Sequence, residues 1–347
     1  MIRKELMPTP TSIFDYNLPQ ERIAQQSVEP RDHSRLLVLD RSTGAWSHHH
    51  FFEIGSFLRP GDLLVINETK VFNARLTGRV GKVEMEVFLL RPDGDGWLAL
   101  ARPGRKLRVS ETITFIDGRT CVVTKKHDDG TVRLDFHTPA DEVLAWTDHV
   151  GSIPVPPYVS VIPSSSDQYQ TVYAKHVGSV AAPTAGFHFT RELMEQLRST
   201  GIQFATVTLH VGLGTFRPIK TDTIEAHDIH EEWIDVPQET QRLIAETKKK
   251  GGHVIAVGTT TARALESDVK SGFTNIFITP GYRFKTIDGL ITNFHLPKSS
   301  LLVLVSAFAG EHHTDPDEGR RIVLDAYRDA IDQKYRFYSF GDAMLIV

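Results

Sequence analysis

The sequence predicts an α/β protein whose main domain is interrupted by a separate all-β domain, and three observations carry that prediction. Residues 253–308 alternate buried-type strand patterns with helix starts, the arrangement of an α/β layer fold. Residues 61–150 instead repeat short strand patterns separated by turns at Asp93-Gly94, Asp117-Gly118 and Asp129-Gly130, a spacing that suits a small barrel or sandwich. A proline-rich stretch at 154–157 and the serine tract 164–166 then lead back to the first domain. The predicted division is residues 1–60 plus 151–347 for a discontinuous α/β domain and 61–150 for the insertion.

Composition bounds the class. The chain has 347 residues, 40% hydrophobic and 24% charged, with room for two ordinary globular domains. Its single cysteine, Cys121, excludes an internal disulfide and a thiolate zinc cluster and suits a reducing cytoplasm. The opening residues, Met1 to Glu5, carry no apolar core of signal-peptide length, and the run Leu301 to Val305 is too short to span a bilayer. A cytoplasmic protein with no membrane association is expected. At a net charge of -4 the whole molecule will not bind nucleic acid non-specifically, so such a partner needs a local basic patch.

Taken in order, a turn at 14–19 feeds a short helix over 21–26, and Ser34 to Asp40 reads as a buried strand. His48, His49 and His50 suit a solvated loop or strand edge. Phe51 to Leu58 predicts a helix that Pro60-Gly61 ends. The insertion holds seven strand patterns, at 63–67, 74–80, 83–90, 97–101, 112–116, 120–124 and 131–136. Thr190 caps a helix reaching Arg198, with Glu192 and Glu195 in its first turns. Residues 204–211 alternate with the period of a strand and end in Gly212-Leu213-Gly214. A helix over 239–250, a strand at 253–257, a helix opening at Gly258, a strand at 275–279 and a helix over 301–308 follow. The last residues form an apolar strand that docks on the sheet.

The chemistry-bearing residues gather in the second half. Gly178, Pro183 and Gly186 stand among small residues, so a ligand can approach the backbone closely. Thr184, His188, His210, Thr215 and Arg217 lie on the loop, helix start and strand end around them. Gly258 to Arg263 (GTTTAR) follows a strand and opens a helix, where free N–H groups favour an anion. It is neither a Walker loop nor a dinucleotide fingerprint. His227 and His230 precede two glutamates but form no His-Glu-x-x-His pattern, so no metal is expected. Basic residues cluster at Arg102, Arg105, Lys106 and Arg108, and again at Arg320, Arg321, Arg328, Lys334 and Arg336.

Through these blocks the chain resembles the S-adenosylmethionine:tRNA ribosyltransferase-isomerases of queuosine biosynthesis. The shared motifs run through nearly the full length: 34–37 (SRLL), 61–65 (GDLLV), 169–174 (YQTVYA), 178–186 (GSVAAPTAG), 207–212 (VTLHVG), 292–297 (TNFHLP) and 335–337 (YRF). Departures are local: Lys70 stands where the family usually has Arg, Gln168 where an Arg often stands, and Ile229 where a Met is common.

The resemblance implies a mixed α/β main domain interrupted by an inserted small antiparallel β-barrel. It implies transfer and isomerisation of the ribosyl moiety of S-adenosylmethionine onto 7-aminomethyl-7-deazaguanine at the tRNA wobble position, giving epoxyqueuosine-tRNA, adenine and methionine. S-adenosylmethionine is then a consumed substrate and no cofactor is expected; tRNA is the partner, and the protein is expected to be a monomer. Acid–base work falls to His188, His210 and His295, with His227 and His230 behind them. Substrate binding is expected from Tyr173, Thr184, Gly186, Thr215, Arg217, Gly258, Thr259, Thr260 and Arg263, and tRNA contact from Arg102, Arg105, Lys106 and Arg108. The rivals are a binding module, a nucleoside transferase that needs no RNA, and a methyltransferase. The last is disfavoured because no glycine-rich loop follows the first strand.

Overall fold

The structure is a computed structural model describing residues 8–155, 158–159, 166–212 and 218–347. The strand β1 (Arg35–Leu39) pairs with the edge strand β2 (Trp46–His50), and β3 (Leu63–Asn67) and the short β4 (Thr69–Val71) follow. Six strands then form the insertion: β5 (Arg75–Val80), β6 (Val83–Asp93), β7 (Gly96–Arg102), β8 (Thr112–Phe115), β9 (Thr120–Lys126) and β10 (Thr131–Asp135). After helix α1 (Ala140–Val150) the chain returns through β11 (His176–Ser179), α2 (Arg191–Ser199) and β12 (Gln203–Leu209). Next come β13 (Glu232–Asp235), α3 (Gln238–Lys249), β14 (Val254–Val257), α4 (Thr259–Glu266) and β15 (Ser271–Thr274). The last elements are β16 (Gly289–Asn293), α5 (Ser300–Gly310), α6 (Glu318–Asp332) and β17 (Ala343–Ile346).

The main sheet has nine strands in the order β15-β13-β12-β3-β14-β16-β17-β1-β2, and β12, β3, β14 and β16 run parallel through its centre. Apolar side chains cover both faces, one against α5 and α6 and the other against the 51–57 turn and α2. The insertion is a closed antiparallel barrel, β10-β7-β6-β5-β8-β9, which agrees with the fold class that the sequence and its resemblance predict. Its strands alternate buried and exposed residues because only the inner face is dry. Helix α1 closes one side, placing the Trp146 ring 4.9 Å from Phe115 and its indole N–H on Asp117 at 2.7 Å. Burial within β9 pushes the Cys121 thiol up to about 12, which keeps it protonated and unreactive.

Three local expectations need correction, and one helix was not anticipated. The barrel begins at Arg75, not at Gly61, because Leu63–Asn67 lies at the centre of the main sheet. All five of its residues are buried, and a strand covered on both faces reads as a continuous apolar run, not an alternating one. The strand expected at 275–279 stands instead at Ser271–Thr274, paired with β13, while Ile276, Phe277 and Ile278 serve as apolar plugs on the core. The helix expected over 21–26 is a single turn at Gln20–Arg22. Helix α6 has no counterpart among the sequence expectations. Its charged face obscures an apolar stripe that packs on α5, with Gly310 against Gly319 so closely that a Cβ on Gly319 would lie 2.2 Å from the Gly310 nitrogen.

Candidate active site

The carboxyl ends of the parallel strands β12, β3, β14 and β16 all reach one side of the sheet, the position where open α/β sheets place their ligands. A cleft opens there. Its floor is the start of α4, contributed by Gly258, Thr259 and Thr260. One wall is the turn Ala182 to Ala185; another is the end of β16, Thr292 to Leu296; aromatic surface comes from Tyr158, Phe294 and Tyr338. Gly258 has φ +95°, a conformation glycine tolerates, and this lets the chain swing from β14 into the helix with its first N–H groups toward the cleft.

His295 lines the cleft and is buried. Its backbone is pinned from both sides: its N–H donates to the Tyr327 hydroxyl at 3.1 Å, and its carbonyl accepts from the Tyr16 hydroxyl. The Thr292 hydroxyl points its hydrogen at the Asn293 carbonyl (3.3 Å) and therefore accepts from His295 Nε2–H at 2.7 Å. That leaves Nδ1 unprotonated, with no hydrogen-bond partner among the described residues. Burial lowers the imidazole from 6.5 to about 3, so it is a neutral base at physiological pH.

His188 stands behind the cleft wall. Asn293 Nδ2 donates to its Nε2 at 3.1 Å, so Nδ1 carries the ring hydrogen and donates to Ser34 Oγ at 2.7 Å. Thr184 in turn donates to Asn293 Oδ1 at 2.9 Å. Burial, then the charges of Arg336 and Arg31, lower His188 to about 3. Both ring nitrogens are committed to protein partners, so His188 orients Asn293 and has no free nitrogen for proton transfer.

The other histidines lie apart from the cleft. His210 follows β12, stacks on Trp233 at 5.1 Å and shares a hydrogen bond with Thr69 at 2.8 Å. Burial and the neighbouring His176 lower it to about 4. Gly178 gives it room, since a Cβ there would sit 2.6 Å from its Nε2. His227 packs edge-on against Phe277, and burial lowers its pKa as well. His230 is exposed. No group of three or more His, Cys, Asp or Glu side chains among the described residues is arranged to hold a metal ion.

Of the expected binding residues, Thr184, Gly258, Thr259 and Thr260 line the cleft. Gly186 serves a neighbouring contact: a Cβ there would lie 2.0 Å from the Tyr173 hydroxyl, a buried group that burial drives above the usual phenol range. Arg263 corrects an expectation. It is 2% exposed, pairs with Glu232 and donates to the Ile276 carbonyl, so its charge is neutralised inside the protein. Glu232 also accepts from Gly212 N–H at 2.8 Å, the last described residue before 213–217. Thr215 and Arg217 lie outside the described residues. Asn293, Thr292, Ser299, Ser339 and Tyr338 complete the cleft and were not singled out as site residues from sequence. The available signal was the TNF segment at 292–294, polar residues at the end of a buried strand.

The buried histidines make stability depend on pH. Unfolded, each takes up a proton below about 6.5; folded, His188 and His295 resist it down to about 3 and His210 to about 4. Their contribution is therefore complete above pH 6.5 and is lost as pH falls toward the folded values, by roughly 2 kcal/mol per histidine at pH 5. Denaturant midpoints should drop between pH 7.5 and 5, and equal midpoints would contradict neutral burial of these rings.

A cleft at the carboxyl ends of parallel strands, floored by a helix start and edged by a neutral histidine, defines an α/β protein built to bind a small polar molecule. The chain belongs to the family described as queuosine biosynthesis protein, whose sequence model matches residues 11–346. It is similar to the S-adenosylmethionine tRNA ribosyltransferase of Thermotoga maritima, with 39% identity, 97% of this chain and 100% of that chain covered, and a TM-score of 0.55.

Proposed function

We propose that this chain transfers and isomerises the ribosyl moiety of S-adenosylmethionine onto 7-aminomethyl-7-deazaguanine in tRNA, giving epoxyqueuosine-tRNA and releasing adenine and methionine. The observation that carries this reading is the family match over residues 11–346, and the cleft holds the chemistry the reaction needs.

The sulfonium acidifies the adjacent C5′ hydrogens, and a base must meet that carbon. His295, with Nδ1 unprotonated beside the cleft, is the ring placed for that role; its position carries the assignment, since burial makes it a weaker base than a free imidazole. The methionine carboxylate suits the N–H groups and hydroxyls at Thr259 and Thr260, the Gly258 N–H being taken by the Ile291 carbonyl at 2.7 Å. Arg263 is not assigned to it. S-adenosylmethionine is consumed, so no separate cofactor is required, and the protein works as a cytoplasmic monomer. No helix among the described residues is long and apolar enough to cross a membrane.

For tRNA, the barrel loop with Arg102, Arg105, Lys106 and Arg108 is the favoured contact. All four are exposed, and among the described residues no carboxylate pairs with them. Lys126 holds the loop's shape by donating to the carbonyls of Gly104 and Leu107 at 3.0 and 2.7 Å. The second basic cluster contrasts with it: Arg320, Arg321, Arg328 and Arg336 each pair with an aspartate or glutamate. Truncating the four barrel residues should weaken tRNA binding and flatten its salt dependence by about one unit of slope for each phosphate no longer neutralised. An unchanged slope would remove the barrel loop from the interface.

The deciding experiment measures adenine release from S-adenosylmethionine with and without tRNA carrying the aminomethyl base. Stoichiometric release only with that tRNA is expected. Release without tRNA would indicate a nucleoside-cleaving enzyme, and transfer of a methyl group would indicate a methyltransferase.

A further inference from the structure

The cleft wall contains a side chain whose carboxamide is bonded at both ends inside the protein. Asn293 is held at both ends of its carboxamide, Oδ1 by the Thr184 hydroxyl at 2.9 Å and Nδ2 by His188 at 3.1 Å. His188 can accept that bond only with its hydrogen on Nδ1, where Ser34 Oγ receives it at 2.7 Å. All four residues are buried, so the amide and the imidazole turn together: a flipped amide requires the His188 hydrogen on Nε2 and both hydroxyls reversed. Beyond these bonds the carboxamide keeps one N–H and one carbonyl lone pair, and Asn293 lines the cleft.

The surroundings suit a flat ring. Phe294, Tyr158 and Tyr338 supply apolar surface, with the two tyrosine rings 4.5 Å apart. Tyr338 sits at φ +72°, a costly conformation for a bulky residue, and its N–H donates to the Phe294 carbonyl at 3.1 Å. That strained backbone places an aromatic ring over the cleft. A donor and an acceptor side by side on one carboxamide match adenine, whose N6 amino group donates while N7 accepts, and asparagine reads adenine this way in nucleic acid grooves.

We propose that Asn293 recognises the adenine ring of the donor substrate and that Ser34 and His188 are positioning residues, a hydrogen-bond chain that holds its carboxamide in place at the cleft wall. This rests on the ribosyl-donor reading above and deepens it. Hypoxanthine presents an acceptor where adenine donates, and 7-deazaadenine lacks the N7 acceptor, so each forfeits one of the two bonds.

The test is isothermal titration of the full chain with free adenine, hypoxanthine and 7-deazaadenine. Adenine should bind at least tenfold tighter than either analogue. Asn293→Asp keeps the shape but cannot donate to N7, and its preference for adenine should disappear. Ser34→Ala releases the His188 tautomer, and the same ratio should fall while the circular dichroism spectrum stays native, a change that loss of packing alone would not produce. Equal binding of the three bases, or a preference unaltered by both substitutions, overturns the proposal. Adenine release measured on the same preparations separates the two readings. Turnover without base preference sinks only the Asn293 assignment, whereas base preference without turnover upholds the adenine subsite and removes the ribosyl-transfer reading.

Discussion

His295→Gln should lower the rate of adenine release in the presence of modified tRNA by about 10²- to 10⁴-fold, the usual effect of a positioned proton acceptor. Affinity for S-adenosylmethionine should change little, because the loss falls on a group that acts in the transition state. Glutamine keeps a polar side chain of similar reach beside Thr292 but cannot take up a proton. Single-turnover adenine release under saturating substrate is the measurement. A loss below tenfold would move the base to another group.

Glu232→Ala should cost about 3–5 kcal/mol of folding stability, the largest structural effect expected of any single substitution here. The pair it breaks is almost dry, with Glu232 at 1% and Arg263 at 2% side-chain exposure. Removing the carboxylate strands the guanidinium, whose Nη2 has no partner among the described residues, and it also releases the Gly212 N–H. Replacing both partners, Glu232→Leu with Arg263→Met, should recover much of the loss because the uncompensated charge disappears. Urea unfolding of the two single variants and the double variant checks this. Single losses under about 1 kcal/mol, or strictly additive effects, would show that the pair is not the buried couple described above.

Much of the architecture was legible because local patterns and tertiary environment agree. The Asp-Gly turns at 93–94, 117–118 and 129–130 divide strands that alternate, and those strands close into the barrel. Thr190 accepts from Leu193 N–H at the start of α2, as its capping position indicated. The domain boundary differs from the sequence expectation for a physical reason. Leu63–Asn67 precedes the barrel directly in sequence, and only its pairing with β12 and β14 identifies it as the middle of another sheet. Its unbroken apolar run was the clue. Helix α6 is hard to see in the sequence because ion pairs along its exposed face dominate its composition.

The site divides along the same line. Sequence alone marked Thr184, Gly258, Thr259, Thr260 and His295, because small or polar residues at strand ends and helix starts are the places where backbone groups meet a ligand. It could not separate His295 from His188 or His210, since all three are single histidines beside aromatic or small residues. Their roles depend on what each ring nitrogen touches, for His188 and His210 across 100 residues or more of chain, with Ser34 and Asn293 on His188 and Thr69 on His210. The same holds for Arg263, a helix-start arginine in sequence and a buried partner of Glu232 in space. Residue type and spacing determined the fold class and the neighbourhood of the cleft. Tertiary structure decided protonation, tautomer and accessibility, because these follow from desolvation and hydrogen-bond geometry set by residues far apart in the chain.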